Sequence, residues 1–318
     1  MLQVLFLITG FLPLIYGARL LVDGASAIAK RFNVSDLVIG LTIVAFGTSA
    51  PELVVNLIAS YNENSSIVLG NVLGSNIFNI LGIIGIAALM YPLQVKSRTT
   101  WIEVPLCFLA AIVVLVMSQK QVIDGAAINR IERTDGLLLL LFFSIFIAYS
   151  FHTASSETAV EAVMIKKNST VRSLISVLLG LALLIAGGQL IVQSAVRIAA
   201  QLGIPERIIA LTIVSIGTSL PELATSAVAA YKKNVDIAIG NIVGSNIFNV
   251  FFILGLSAVI SPVQVGSSSD FDLIVHTSSM ALLFALILFG KGRRIDRIEG
   301  ALFVGLYVVY IVSLLRIS

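Results

Sequence analysis

Charge is scarce in this chain. Of its 318 residues, 12% are Asp, Glu, Lys or Arg, against roughly 25% in a soluble domain. That deficit excludes a solvated globular surface. Apolar residues make up 58%, and the mean hydropathy is +1.04. An integral membrane protein follows. Short alternating strands are lacking and the apolar runs are about 20 residues long, which points to helices rather than a barrel. Cysteine is nearly absent. Cys107 lies inside an apolar segment, so no disulfide framework is implied and the thiol reads as a small core residue. The two histidines, His152 and His276, are far apart and have no ligand cluster around them, which argues against a soft-metal site. The formal charge of +3 calls for no nucleic-acid partner, because basic loops orient membrane proteins. The first apolar run, "LQVLFLITGFLPLIYGARLLV", lacks the preceding basic residues of a secretory signal and is read as retained structure.

What is present is organised twice over. Hydropathy predicts ten spans, at 2–22, 34–60, 65–91, 101–119, 134–152, 171–193, 204–231, 235–260, 271–290 and 297–316. "LTIVAFGTSAPEL" is echoed by "LTIVSIGTSLPEL", and "GNVLGSNIFN" by "GNIVGSNIFN". Gly17-Ala18-Arg19 aligns with Gly187-Gly188-Gln189, and Pro92 with Pro262. Every pair is 170 residues apart (222 less 52, for the glutamates). Duplication explains that spacing better than shared membrane composition. The expected domains are a first five-helix repeat at 1–151, a linker at 152–172, and a second five-helix repeat at 173–318. Five spans per repeat is an odd number, so the second repeat inverts relative to the first. The expected fold is all-α and integral to the membrane, with ten transmembrane helices in two inverted five-helix repeats.

Loop charges predict orientation. With the N-terminus on one side, that side carries Lys120, Arg130, Arg133, Arg197, Arg207 and Arg316. The other carries Lys30, Arg31, Lys96, Arg98, Lys166, Lys167, Arg172, Lys232, Lys233, Lys291, Arg293, Arg294 and Arg297. The more basic side is expected to be cytoplasmic, which leaves both termini outside.

Each repeat sets a glutamate in an apolar run, Glu52 in "GTSAPE" and Glu222 in "GTSLPE". A carboxylate at membrane depth costs about 2.5–3.5 kcal/mol on insertion scales. One such residue could be a hydrogen-bonded structural carboxyl. A duplicated pair in matching polar surroundings points to function. Pro51 and Pro221 lack an N–H, and Pro51 is expected to free the Gly47 carbonyl. Irregular backbone at this depth is tolerated only in protein or beside a wet cavity. Thr48, Ser49, Thr218 and Ser219 add hydroxyls within a turn of the glutamates. Ser75 and Asn79 are four apart and share a helix face, as do Ser245 and Asn249. Gly70 and Gly74 allow close helix approach, and Asn76 and Asn246 read as helix caps or cross-links. Two carboxylates, two amides, hydroxyls and carbonyls, without sulfur or imidazole, form a hard-cation inventory. Ca²⁺ takes about 6–8 oxygens, and Na⁺ is held by carbonyls and hydroxyls at broken helices.

At these residues the chain resembles the calcium/cation antiporter superfamily, in particular its sodium/calcium exchanger branch of prokaryotic type. The likeness covers both halves. Proton/calcium exchangers of that superfamily typically carry "GNxxE" where this chain has "GTSxPE", which favours Na⁺ as counter-ion. The resemblance implies Glu52 and Glu222 as central ligands, Thr48, Ser49, Thr218 and Ser219 lining the sites, and backbone carbonyls near Ala45 and Ser215. It implies Ser75, Ser245, Asn79 and Asn249 from the neighbouring helices, and alternating access in which the first and sixth spans slide against a fixed core. One departure stands out. Such exchangers often carry aspartate where this chain has Asn249, and potassium-coupled relatives do too, so one negative charge is missing here.

The reading is therefore a secondary antiporter of a prokaryotic plasma membrane, exchanging Ca²⁺ for Na⁺, with H⁺ as the alternative counter-ion because a buried carboxyl can carry a proton. No cofactor and no nucleic acid are called for; the surroundings are the lipid bilayer. A cation channel with acidic side chains is a competing class, but two inverted broken helices favour alternating access. An enzyme is the weakest reading, because "GTSxPE" has no His or Lys base beside its hydroxyls.

Overall fold

The computed structural model describes residues 2–32, 34–96, 99–156, 170–203, 215–266, 269–290 and 292–317. The described residues are helical almost throughout. Helix α1 spans Leu2–Phe32. A bent pair follows, α2 (Asp36–Thr48) and α3 (Ala50–Tyr61), which meet at 48°. Then come α4 (Ser65–Met90), α5 (Trp101–Met117), a short α6 (Lys120–Asp124) and α7 (Arg133–Ser156). In the second half α8 (Thr170–Gln201) precedes a second broken pair, α9 (Ser215–Thr218) and α10 (Leu220–Tyr231). The chain closes with α11 (Val235–Ile260), α12 (Ser269–Phe289) and α13 (Arg297–Ile317).

Among the described residues, seven helices are long and apolar enough to cross a membrane, or eight with the bent pair counted as one span; α5 is apolar but shorter. The expected span at 204–231 begins in residues outside those described, as does most of the expected 152–172 linker. Helix α7 runs on to Ser156, past the expected repeat boundary at 151. Helix α1 extends ten residues beyond the expected end at 22, because Asp23, Ser26 and Lys30 interrupt the hydropathy but not the helix.

Helices α4 and α11 form the centre. Their apolar stretches are 83% buried, against 28% for α1 and 33% for α8. The outer helices turn Ile8, Leu12, Leu178 and Val309 outward. A row of exposed aliphatics on apolar helices suits lipid, not water. Both central helices change to π-helical geometry at matching places, Phe78–Ile84 and Phe248–Leu254. Such segments interrupt regular helices chiefly at functional sites.

Glycine sets how closely the repeats approach. A Cβ at Gly17 would stand 2.7 Å from the Gly180 carbonyl oxygen, and one at Gly187 2.9 Å from that of Gly10, so α1 and α8 touch backbone to backbone. A Cβ at Gly244 would lie 2.6 Å from the Leu41 carbonyl oxygen, which brings α11 against α2. Gly136 of α7 packs on Gly255 of α11, and Gly300 of α13 packs on Gly85 of α4. These are the same contact made twice, once by each repeat.

Among the described residues, four two-residue strands tie loops together. β1 (Leu93–Gln94) pairs antiparallel with β4 (Arg294–Ile295), and β2 (Arg130–Ile131) with β3 (Val263–Gln264). Each pair joins one strand from each half.

Candidate cation site

The two helix breaks place the glutamates. Ser49 ends α2 with φ −81° and ψ 9°, and Ser219 ends α9 with φ −88° and ψ 9°. Helices α3 and α10 restart one residue later. Pro51 and Pro221 then fall in the first turn, where a missing N–H costs nothing. Glu52 and Glu222 sit in that same turn, where the helix dipole favours negative charge. Both are almost wholly buried, 1% and 0% exposed.

Each glutamate is reached by a serine of the other repeat. Ser49 Oγ donates to Glu222 Oε1 at 2.8 Å, and Ser219 Oγ donates to Glu52 Oε1 at 2.8 Å. Within each repeat the helix that follows adds a second, longer hydroxyl: Ser75 Oγ at 3.4 Å from Glu52 Oε1, and Ser245 Oγ at 3.4 Å from Glu222 Oε1. Ser49 and Ser245 are 3.0 Å apart, Oγ to Oγ. The crossing of partners makes one centre out of the two motifs. The other carboxylate oxygens, Glu52 Oε2 and Glu222 Oε2, are buried without a hydrogen-bond partner. Neither carboxylate forms an ion pair among the described residues. Two buried acids with free oxygens and no basic neighbour repel when ionised, and a cation between them relieves both that repulsion and the lost hydration.

Each threonine bridges a carbonyl one turn back and an amide oxygen of the opposite repeat. Thr48 Oγ1 lies 3.3 Å from the Ala45 carbonyl oxygen and 3.0 Å from Asn241 Oδ1; Thr218 Oγ1 lies 3.1 Å from that of Ser215 and 3.3 Å from Asn71 Oδ1. The Ala45 and Ser215 carbonyls are thus engaged by hydroxyls one turn on. Asn79 is buried with neither amide atom hydrogen-bonded, and Asn249 has its Oδ1 unpartnered. Ten of the twelve residues singled out in the sequence are joined by these bonds; Asn79 and Asn249 are buried on the central helices α4 and α11, outside them. Asn76 cross-links the repeats, donating Nδ2 to the Asn246 carbonyl at 3.3 Å, whereas Asn246 Nδ2 turns back to Ile242 O of its own helix at 2.7 Å.

Two site residues escaped the sequence reading. Asn71 Nδ2 bonds Asn56 Oδ1 at 2.7 Å and the Glu52 carbonyl at 3.4 Å, and Asn241 Nδ2 bonds Ser226 Oγ at 2.9 Å and the Glu222 carbonyl at 3.4 Å. Each braces the first turn of a glutamate helix against a threonine of the opposite repeat. The signal was in the sequence: Asn71, Ser75 and Asn79 recur at four-residue steps on one helix face.

A paired, intramembrane acid site built from two copies of one motif narrows the possible relatives. The family model described as "Sodium/calcium exchanger protein" matches residues 2–152 and 172–316. The chain belongs to the sodium/calcium exchanger family. Among individual relatives, the sodium/calcium exchanger MaX1 of Methanosarcina acetivorans is 32% identical, over 98% of each chain. The inner membrane protein YrbG of Escherichia coli is 35% identical, over 98% of this chain and 96% of its own. Among solved structures, the sodium-calcium exchanger NCX_Mj superposes with a TM-score of 0.84 at 32% identity, covering 98% of this chain and 99% of that one. In this exchanger-family chain, the breaks at Ser49 and Ser219 and the central helices α4 and α11 are thus parts of an antiporter scaffold.

Proposed function

We propose that this protein is a secondary active antiporter that moves Ca²⁺ across the membrane in exchange for Na⁺ by alternating access. The observation that carries the reading is the reciprocal Ser–Glu pairing: Ser49 on Glu222 and Ser219 on Glu52, both carboxylates buried with an oxygen to spare. Glu52 and Glu222 are the central ligands. Thr48, Thr218, Ser49, Ser219, Ser75, Ser245, Asn79 and Asn249 supply neutral oxygens, with the Ala45 and Ser215 carbonyls at the rim. Two carboxylates balance one Ca²⁺, while Na⁺ needs fewer charged ligands and takes the hydroxyls and carbonyls. Each ion occupies the shared charge in turn, which makes exchange obligatory.

The ten helices form two inverted five-helix repeats, bounded at 1–151 and 173–318 and joined by 152–172. The mirrored contacts of Gly136 with Gly255 and Gly300 with Gly85 support that arrangement. The protein lies in a prokaryotic plasma membrane with both termini outside.

Reconstituted vesicles test the exchange. With Na⁺ loaded inside, dilution into Na⁺-free medium should drive Ca²⁺ to accumulate against its gradient, and dissipating the Na⁺ gradient should stop it. Accumulation that follows an imposed H⁺ gradient alone would assign H⁺ as counter-ion. Downhill Ca²⁺ flux without dependence on either gradient would make the protein a channel.

A further inference from the structure

A further buried polar cluster surrounds Asn76, between the central helices α4 and α11 and helix α12. His276 of α12 is buried, 1% exposed, and its Nε2 lies 3.3 Å from Asn76 Nδ2. The same Asn76 nitrogen is 3.3 Å from the backbone carbonyl of Asn246. A carbonyl oxygen can only accept, so the Asn76 amide must present its NH₂ there and its Oδ1 on the other side. That Oδ1 faces Asn249 Nδ2 at 3.0 Å. Asn249 is thereby obliged to donate to Asn76, and its own Oδ1 is left as the free, buried end of the amide. His276 completes the chain by accepting the second N–H of Asn76, which places the ring proton on Nδ1.

Among the described residues, nothing in the first repeat copies this. The position matching His276 is Cys107: the buried run Val104, Cys107, Ala110, Ala111, Val114 recurs as Leu273, His276, Ser279, Met280, Leu283, 169 residues on. Asn246, the counterpart of Asn76, bonds back to its own helix, and Asn79, the counterpart of Asn249, has no hydrogen bond at either amide atom. Duplication supplied the asparagines, and the second repeat alone gained a device that orients one of them.

We infer that His276 and Asn76 are positioning residues for the transported cation: they lock the Asn249 amide with its oxygen, not its nitrogen, available to the ion. The inference rests on the antiporter reading and on Asn249 as a ligand. Asn249 carries no charge, so it serves a cation only in one of its two amide orientations. An aspartate there needs no such control, because both of its oxygens accept. Removing the imidazole acceptor leaves one Asn76 N–H unpaired in a buried place and the Asn246 carbonyl as the one acceptor still holding that NH₂, so the flipped amide gains population. A flipped Asn76 offers NH₂ to Asn249, draws the Asn249 oxygen away, and turns an N–H toward the cation.

The test compares His276→Phe and His276→Leu with His276→Gln, whose side-chain oxygen can accept from Asn76. Ca²⁺ transport by reconstituted, monodisperse protein is measured for apparent Ca²⁺ affinity and saturated turnover. The apolar variants should weaken apparent affinity by about fivefold to tenfold with turnover little changed, and the glutamine variant should stay within about twofold of wild type. In an Asn249→Asp background, His276→Phe should have no further effect on affinity, since a carboxylate has no amide to orient. Equal affinities in the phenylalanine and glutamine variants would overturn the inference, as would a full phenylalanine effect in the aspartate background. It also fails if neither apolar variant folds, because the histidine is then structural. Lack of Ca²⁺ transport by the wild type itself would instead refute the antiporter reading.

Discussion

At the scale of single residues, the reciprocal Ser–Glu bonds make a separable prediction. Glu52→Gln and Glu222→Gln keep shape and one carbonyl oxygen but each removes half of the charge that balances a divalent ion. Either should lower Ca²⁺ affinity by about 100-fold or more, because an unbalanced buried charge costs about 3–5 kcal/mol. Ser49→Ala and Ser219→Ala remove a donor to a charged acceptor and should cost about 1.5–3 kcal/mol, or roughly 10- to 100-fold. Ca²⁺ binding to purified protein, measured calorimetrically, ranks the four. A serine variant as damaging as its glutamate partner would mean that the hydroxyl is itself the principal ligand. The sequence showed the glutamates and serines because both repeats carry them in the same order. It could not show that Ser49 serves Glu222 rather than Glu52, because partner choice across repeats is a matter of packing. His276 was invisible to the same logic, since its counterpart is Cys107 and only contact with Asn76 gives it a role.

At the scale of elements, proline and glycine punctuation foretold the breaks, and the chain does bend at Ser49 between α2 and α3. The π-helical segments Phe78–Ile84 and Phe248–Leu254 were not foreseen. Their residues are apolar and helix-compatible, and one extra residue per turn leaves no compositional trace. Close approach of α1 and α8, by contrast, follows from small residues and can be tested by adding one carbon. Gly17→Ala and Gly305→Ala bring the same gain in helix propensity, about 1 kcal/mol. A Cβ at Gly17 meets the Gly180 carbonyl oxygen at 2.7 Å and the Leu184 nitrogen at 2.9 Å, and backbone cannot move aside cheaply. Nothing described lies within 4 Å of a Cβ at Gly305. Gly17→Ala should therefore lower stability by about 1–3 kcal/mol, while Gly305→Ala should leave it unchanged or raised. Thermal unfolding of the two variants in one detergent separates the signs. A Gly17→Ala protein as stable as wild type would mean that α1 and α8 part easily.

At the scale of the whole molecule, the question is which loops share a side of the membrane. Lys96 Nζ lies 2.6 Å from Asp236 Oδ2, and Lys232 Nζ lies 2.6 Å from Asp23 Oδ1. Strand β1 joins residues 93–94 to 294–295. Those contacts require the ends of α1, α4, α10 and α12 to meet at one face, because a hydrocarbon core about 30 Å thick separates the two. Strand β2 joins 130–131 to 263–264, and Gln264 N bonds Ser65 Oγ at 3.0 Å, so the loops after α3, α5 and α11 meet at one face as well. A path of ten crossings satisfies both groups and sets them on opposite faces. The first group includes Lys96, Lys232 and Arg294, on the more basic side, which should be cytoplasmic. Thiol labelling tests that orientation. Cys107→Ala removes the lone thiol, which is buried beside Met280. In that background Lys232→Cys and Arg293→Cys should resist an impermeant thiol reagent added to intact cells, and Ala127→Cys, in the exposed loop after α6, should react. After the membrane is permeabilised all three should react. Labelling of Lys232→Cys and Arg293→Cys but not Ala127→Cys in intact cells would invert the molecule. Labelling of only one of the two cytoplasmic sites would break the count of ten, because Lys232 and Arg293 are separated by two crossings and must share a side.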